Sequence, residues 1–276
     1  MQTIRIAHSP DSDDAFMFYA LATGKVGCDG FHFRHELHDI EFLNQAALEG
    51  VFEVTALSIH AYAYLHETYA LLNCGASMGE GYGPVLVGRK EDPGVHKLAG
   101  KLIAVPGERT SAFLALKLRE PNITHVVIPF DQIIPAVRAG RVDLGLVIHE
   151  GQLSYRREGL VKILDLGEWW QRETGLPLPL GGNAVRRNLG TETIAKLSEL
   201  LRKSVQYALA NKDEALQYAI QFGRGLDEGE ADRFVNMYVN RRTLDYGDDG
   251  RQAVQLFLDR GFEAGLVPQK VSVAFD

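Results

Sequence analysis

Four short stretches of this sequence carry side chains that could do chemistry, and each lies at the end of an apolar run. In "DLGLVIHEG" (143–151), His149 directly follows an apolar strand pattern. An imidazole is the side chain best matched to taking a proton near neutral pH, so His149 is the candidate general base. Glu150 is its neighbour in what reads as an extended segment, and is expected to face away and orient it poorly. The matching tip "VTALS" places Ser58 where it would face His149 across a cleft. In "VPGERTSAF", Gly107 loosens a turn and Thr110 and Ser111 stand at a helix start. Their hydroxyls and the free N–H groups there would seat a carboxylate, or Thr110 would serve as a plain N-cap, and both can hold at once. "HSPDSDD" (8–14) joins the strand pattern "TIRIA" to a helical run, so Asp13 or Asp14 can cap orphan N–H groups. At least one of Ser9, Asp11 and Asp14, at the edge of the same cleft, is expected to contact a substrate.

Other chemistries fit these residues less well. Counted as a calcium loop from Asp11, the sixth position is Phe16 rather than glycine and the twelfth is Ala22 rather than glutamate. In "FHFRHELH", period-2 alternation turns His35 away from His32 and His38, so the three read as a solvated strand face rather than a metal site. "GEGYGP" runs into a strand, not out of one into a helix, which rules out a dinucleotide fingerprint. There is no GxSxG for a covalent route and no HExxH for a zinc hydrolase. No metal and no cofactor is expected, and acid–base work by His149 remains.

The elements that position these tips follow from length and pattern. With 276 residues, 46% of them hydrophobic and 24% charged, the chain suits one large or two modest folded domains. A net charge of −7 disfavours nucleic acid or an anionic membrane surface as partner. No apolar run approaches the roughly 20 residues a membrane helix needs. Cys28 and Cys74 form no CxxC, and the start "MQTIRIAHSP" reads as a strand rather than an export signal, so a cytoplasmic location is expected.

Apolar strands alternate with helical stretches, the pattern of an α/β protein with parallel sheets. Strands are expected at 3–7, 31–37, 54–57, 85–88, 102–105, 126–128 and 144–148, and helices at 14–22, 39–48, 111–119, 131–139 and 191–211. "IRIAHSPDSDDAFMFYAL" and "LIAVPGERTSAFLALKL" share one grammar of strand, Pro-containing loop and helix, which points to two similar domains. The charged segment 89–100, with Pro93-Gly94, reads as the first crossing between them and "LPLPLGGNAVRRN" as the return. The expected division is 1–90 plus 187–276 as a large domain and 91–186 as a small one. A ligand would then lie in the interdomain cleft, at the carboxyl ends of the strands.

At this point a resemblance becomes specific. "SPDSDDAFMFYAL", "LEGVFEVTALSIHAYAYL", "GEGYGPVLV", "AVPGERTSAFLAL", "LGLVIHEGQLSY" and "TGLPLPLGGNAVRRNLG" together resemble the 1,4-dihydroxy-6-naphthoate synthase family of the futalosine route to menaquinone. The resemblance implies a two-domain fold like the type II periplasmic binding proteins, with an interdomain cleft. It implies cofactor-free conversion of cyclic dehypoxanthine futalosine, a small molecule bearing a carboxylate, to 1,4-dihydroxy-6-naphthoate. His149 matches the family's base, Ser58 and the Thr110/Ser111 pair its cleft hydroxyls, and Asp14 the acid of its first loop. Where the family commonly reads "SPCPNDTF", this chain has "SPDSDDAF", with Asp13 in place of asparagine and Ala15 in place of threonine. Contact of the added carboxylates with sugar hydroxyls stays open.

Two other readings share the fold: a solute-binding protein, which would need export or an anchor, and a related lyase such as chorismate dehydratase, which would change the base. An interaction-only role fits poorly, because the strand tips carry hydroxyls, acids and a histidine rather than an apolar patch. Oligomeric state, including a homodimer, is left open by the sequence.

Overall fold

The computed structural model describes residues 2–90, 98–223 and 225–275. The chain opens with β1 (Gln2–His8), α1 (Ser12–Ala22), β2 (Phe31–Leu37), α2 (Ile40–Leu48), β3 (Val54–Ser58) and α3 (Ile59–Leu65). Three strands follow, β4 (Tyr69–Leu71), β5 (Ser77–Gly79) and β6 (Val85–Arg89). Next come β7 (Leu102–Val105), α4 (Ser111–Arg119), β8 (Thr124–Val127), α5 (Phe130–Arg138), β9 (Leu144–Val147), α6 (Gly151–Ser154) and β10 (Leu160–Asp165). Then α7 (Leu166–Thr174) and β11 (Leu178–Arg186) lead into the helical tail. It comprises α8 (Thr191–Ala210), α9 (Lys212–Ile220), α10 (Glu228–Tyr238), α11 (Arg241–Leu244) and α12 (Gly247–Glu263).

The strands form two sheets. One has the order β2-β1-β3-β11-β4, with β5 also on β11, and the other β10-β6-β9-β7-β8. Pairs β1–β2, β1–β3, β7–β8 and β7–β9 are parallel, as the alternating pattern leads one to expect. β11 runs antiparallel to β3, and β6 to β9 and β10, so each sheet is mixed. These two strands also move the expected domain boundaries. β6 joins the second sheet although the sequence pattern places residues up to 90 in the large domain, and β11 joins the first although the pattern places residues up to 186 in the small one. By sheet membership the chain crosses between β5 and β6 and returns between α7 and β11. "LPLPLGGN" reads as a connection because proline cannot donate to a ladder; β11 accommodates it with a register shift between Pro179 and Gly181. Most of the crossing expected at 89–100 lies outside the described residues, which stop at 90 and resume at 98.

Packing explains why the site is held rigidly. Every residue of α1 from Ser12 to Leu21 is buried, and past its polar first turn the helix is almost wholly apolar, so it sits inside the first lobe. Phe16, Met17 and Phe18 share one core with Ile194, Leu201 and Val205 of α8, so the helical tail packs back on the first sheet as expected. A second core contains Leu57 and Ile59 from the first lobe together with Leu86, Ile103 and Leu144 of the second sheet. Within it Trp170 is fully buried, stacks edge-on to Phe257 at 5.3 Å, and donates from Nε1 to the Pro177 carbonyl at 3.0 Å. Burial of such a side chain stabilises by about 2–3 kcal/mol. Among the described residues, no helix is long and apolar enough to cross a membrane.

Candidate active site

The strand tips of both sheets converge on one cavity of about 690 Å³, counted with its open mouth. Ser9, Asp11, Asp14, Ser58, Thr110, Ser111 and His149 all line it. The first-sheet tips reach it through the β1–α1 loop and the end of β3, the second-sheet tips through the β7–α4 and β9–α6 turns.

His149 is set by a local backbone choice. Its φ is 51°, the left-handed region that costs a residue other than glycine of order 1 kcal/mol or more. The tight turn this makes, closed by Gln152 N–H on the His149 carbonyl at 3.1 Å, swings the ring toward the first lobe. There Nδ1 lies 2.8 Å from Asp11 Oδ2. The carboxylate holds the proton on Nδ1, so Nε2 keeps its lone pair. Nε2 is buried with no partner among the described residues, and the ring lines the cavity. Phe130 covers the imidazole edge-on at 5.0 Å.

Asp11 therefore does two jobs. Its Oδ1 accepts from Asp14 N–H at 3.3 Å and caps α1, while its Oδ2 holds His149. Asp14 in turn accepts from Ser9 N–H at 2.8 Å, which fixes the loop's entry. The extended path expected at Glu150 is overturned, while Glu150 is, as expected, not the ring's orienting partner, which is Asp11. Because the backbone turns at His149 instead of staying extended, Glu150 is buried, and its Oε1 accepts weakly from Ser12 N–H at 3.4 Å across the cleft. With Tyr238 O–H donating to Gln152 Oε1 at 2.7 Å, three polar links tie the first lobe to the β9–α6 turn.

Three acids thus act on one imidazole. Burial alone would depress the His149 pKa, but Asp11, with Glu150 and Asp14 behind it, outweighs burial and raises it. For Asp11, burial pushes upward and His149 more than reverses it, so this carboxyl stays ionised far below the usual range. Burial first and the Asp11 charge second push Asp13 and Asp14 well above it, and Glu150 up to about 7.

The hydroxyls expected to bind substrate are mostly committed to the protein. Thr110 Oγ1 donates to the Gly107 carbonyl at 2.8 Å and accepts from Phe113 N–H at 3.2 Å, the N-cap reading. Ser111 Oγ donates to the Leu180 carbonyl and accepts from His60 N–H at 3.2 Å. With Thr110 N–H bonded to Gly107, the N–H groups of Ser111 and Ala112 remain at the positive end of α4. Ser58 accepts from Asn44 Nδ2 at 3.1 Å and so keeps its own O–H to offer. Asn44 also accepts from Ser58 N–H at 2.9 Å, a supporting role not read from the sequence. An asparagine on the buried face of the apolar run "FLNQAAL" was the available signal. Asn183 was also missed: Nδ2 donates to the Gly75 carbonyl at 3.2 Å, leaving Oδ1 buried without a partner on the cavity wall. Its segment read as a connection, so its side-chain direction could not be assigned.

His35 packs against the His8 and Phe18 rings, at 6.0 and 6.1 Å, while His32 is exposed on the opposite face.

Two mixed sheets with a ligand-sized cleft between their strand tips define the fold of the periplasmic binding proteins. An alkanesulfonate-binding protein from Xanthomonas axonopodis pv. citri shares this fold with a TM-score of 0.74 at 14% identity, over 99% of this chain and 96% of that one. The chain belongs to the menaquinone biosynthesis family, whose sequence profile matches residues 4–263. It is 41% identical to a 1,4-dihydroxy-6-naphthoate synthase of Thermus thermophilus, over 96% of each. A crystal structure of an Archaeoglobus fulgidus protein superposes with a TM-score of 0.92 at 46% identity, covering 96% of this chain and 98% of that one.

Proposed function

We propose that this chain is itself a 1,4-dihydroxy-6-naphthoate synthase, acting on cyclic dehypoxanthine futalosine with His149 as general base. The observation that carries the reading is the Asp11–His149 pair, whose free Nε2 faces a buried cavity. Neutral His149 takes the proton at Nε2, and the imidazolium that forms is stabilised by Asp11 at Nδ1. Loss of that proton lets the sugar-derived fragment leave and the second ring aromatise. The substrate's carboxylate sits against the Ser111 and Ala112 N–H groups, within reach of the Ser58 hydroxyl, so that the positive end of α4 offsets its charge. The cross-cleft links support a closed site from which water is excluded. A cytoplasmic location accompanies this reading, since the reaction belongs to a biosynthetic route.

The test is incubation of the purified protein, beside a His149→Ala variant, with cyclic dehypoxanthine futalosine, following product by chromatography and mass spectrometry. Product from the parent alone supports the reading. Product from both moves the base elsewhere, and none from a folded parent that binds the substrate removes the activity.

A further inference from the structure

Asp13 is the acid of this segment that has neither a part in the mechanism above nor a structural bond like that of Asp14 to Ser9 N–H. It is 7% exposed, lines the cavity, and its Oδ1 is buried without a donor among the described residues. Asp11, two residues away, lines the same cavity. An ionised carboxylate is an acceptor only, and a buried one without a donor is costly, so two such neighbours call for one shared proton. Asp11 cannot be the group that carries it. It accepts from Asp14 N–H on one oxygen and faces the His149 ring on the other, both of which favour its ionised form.

We propose that Asp13 is an uncharged carboxylic acid that donates its O–H to Asp11, and so positions the Asp11–His149 pair, while its acceptor side faces the hydroxyl-bearing part of the substrate. The charges around it agree. Asp11 and Asp14 on its own loop and helix, and Glu150 across the cleft, all oppose a further negative charge, as does the Tyr238 phenol of α10 were it ionised; His149 becomes the nearby cation only once it is protonated. Burial acts in the same direction and is the largest cause of its raised pKa. A neutral acid in this place adds a donor to Asp11 without adding charge beside the base. The group acts through Asp11, so it is a positioning residue.

The role toward substrate rests on the reading of the reaction given above, but the protonation state does not. Infrared difference spectra of the free protein at neutral pH, parent minus Asp13→Asn, should show a carboxylic-acid carbonyl band that converts to carboxylate bands as the parent is titrated to alkaline pH. Loss of carboxylate bands alone overturns the proposal, whatever the protein's reaction. In turnover, Asp13→Ala should lower kcat/KM roughly tenfold or more, as for a lost hydrogen bond to a charged group. Asp13→Asn, which keeps a donor and an acceptor, should restore most of that and extend the alkaline limb of the pH profile. An Asn variant as impaired as Ala, with an unchanged limb, overturns it. Failure of the parent to form product while the acid band is present would sink the reaction and leave the neutral Asp13 standing.

Discussion

His149 Nδ1 and Asp11 Oδ2 are 2.8 Å apart although their residues hang from different sheets, so the base and the group that orients it are brought together across the cleft. Asp11→Asn tests this with little disturbance, because asparagine caps a helix as well as aspartate does. With Oδ1 still capping α1, the amide nitrogen faces Nδ1 and forces the ring proton onto Nε2. The expected result is a loss of kcat of roughly 10²-fold or more with KM nearly unchanged and melting temperature preserved. A loss confined to KM would show that Asp11 serves binding instead.

The pH profile should follow the same pair. The His149 pKa is raised above the ordinary 6.5, so the acid limb of kcat/KM is expected above that value. Asp11→Asn removes the main upward influence and leaves burial, so its residual activity should show an acid limb shifted down. A limb that stays in place would assign it to another group.

Glu150 gives a stability prediction whose sign is fixed by linkage. Its carboxyl, ordinarily at 4.5, is raised to about 7 by burial and then by Asp11. Between those values the folded state binds more protons than the unfolded, so stability is greatest below the window and falls as pH rises through it. Glu150→Gln should flatten that part of the melting curve against pH, by about 1–3 kcal/mol across the window. An unchanged slope would show that the Ser12–Glu150 contact is open in solution.

The first loop shows what could and could not be read beforehand. Much local chemistry was legible: a helix opening out of the first loop, the strand at Phe31–Leu37 and the helix at Ser111–Arg119 follow from capping and periodicity, although the cap is Asp11, ahead of Ser12, and not Asp13 or Asp14. The placing of His149 at a cleft tip was legible too, because an apolar run ended there. Its partner was not, since the left-handed turn that presents His149 to Asp11 and buries Glu150 has no glycine to announce it. β6 and β11 were misassigned for a related reason: sheet membership depends on pairing between distant segments, whereas a local pattern reports only that a strand forms.

Asn44 holds Ser58 through both of that residue's polar groups, so Asn44→Leu should leave the buried Ser58 N–H unpaired. A cost of about 1–3 kcal/mol is expected, with KM raised because the Ser58 hydroxyl loses its fixed direction. Ser58→Ala keeps the backbone bond to Asn44 and loses only the Oγ acceptor, so it should raise KM with a smaller loss of stability. Equal melting temperatures for the two variants would contradict the assigned bonding.

The geometry of the crossing between sheets offers a last test, remote from the chemistry. A Cβ on Gly167 would lie 1.9 Å from the Tyr82 carbonyl oxygen, a backbone atom that cannot turn aside. The neighbouring Leu166 N–H donates to the Pro84 carbonyl at 3.0 Å, so α7 is pinned to the strand entry where the chain passes from the first sheet to the second. Gly167→Ala must push these backbones apart, at a cost of about 1–3 kcal/mol and a melting temperature lowered by several degrees. Because the crossing governs how the lobes meet, the Asp11–His149 bond should weaken with it, which a solvent-exchange measurement on the His149 ring proton would detect. Destabilisation with that proton still protected would mean that the closed pair is held by the cleft itself, independently of the crossing.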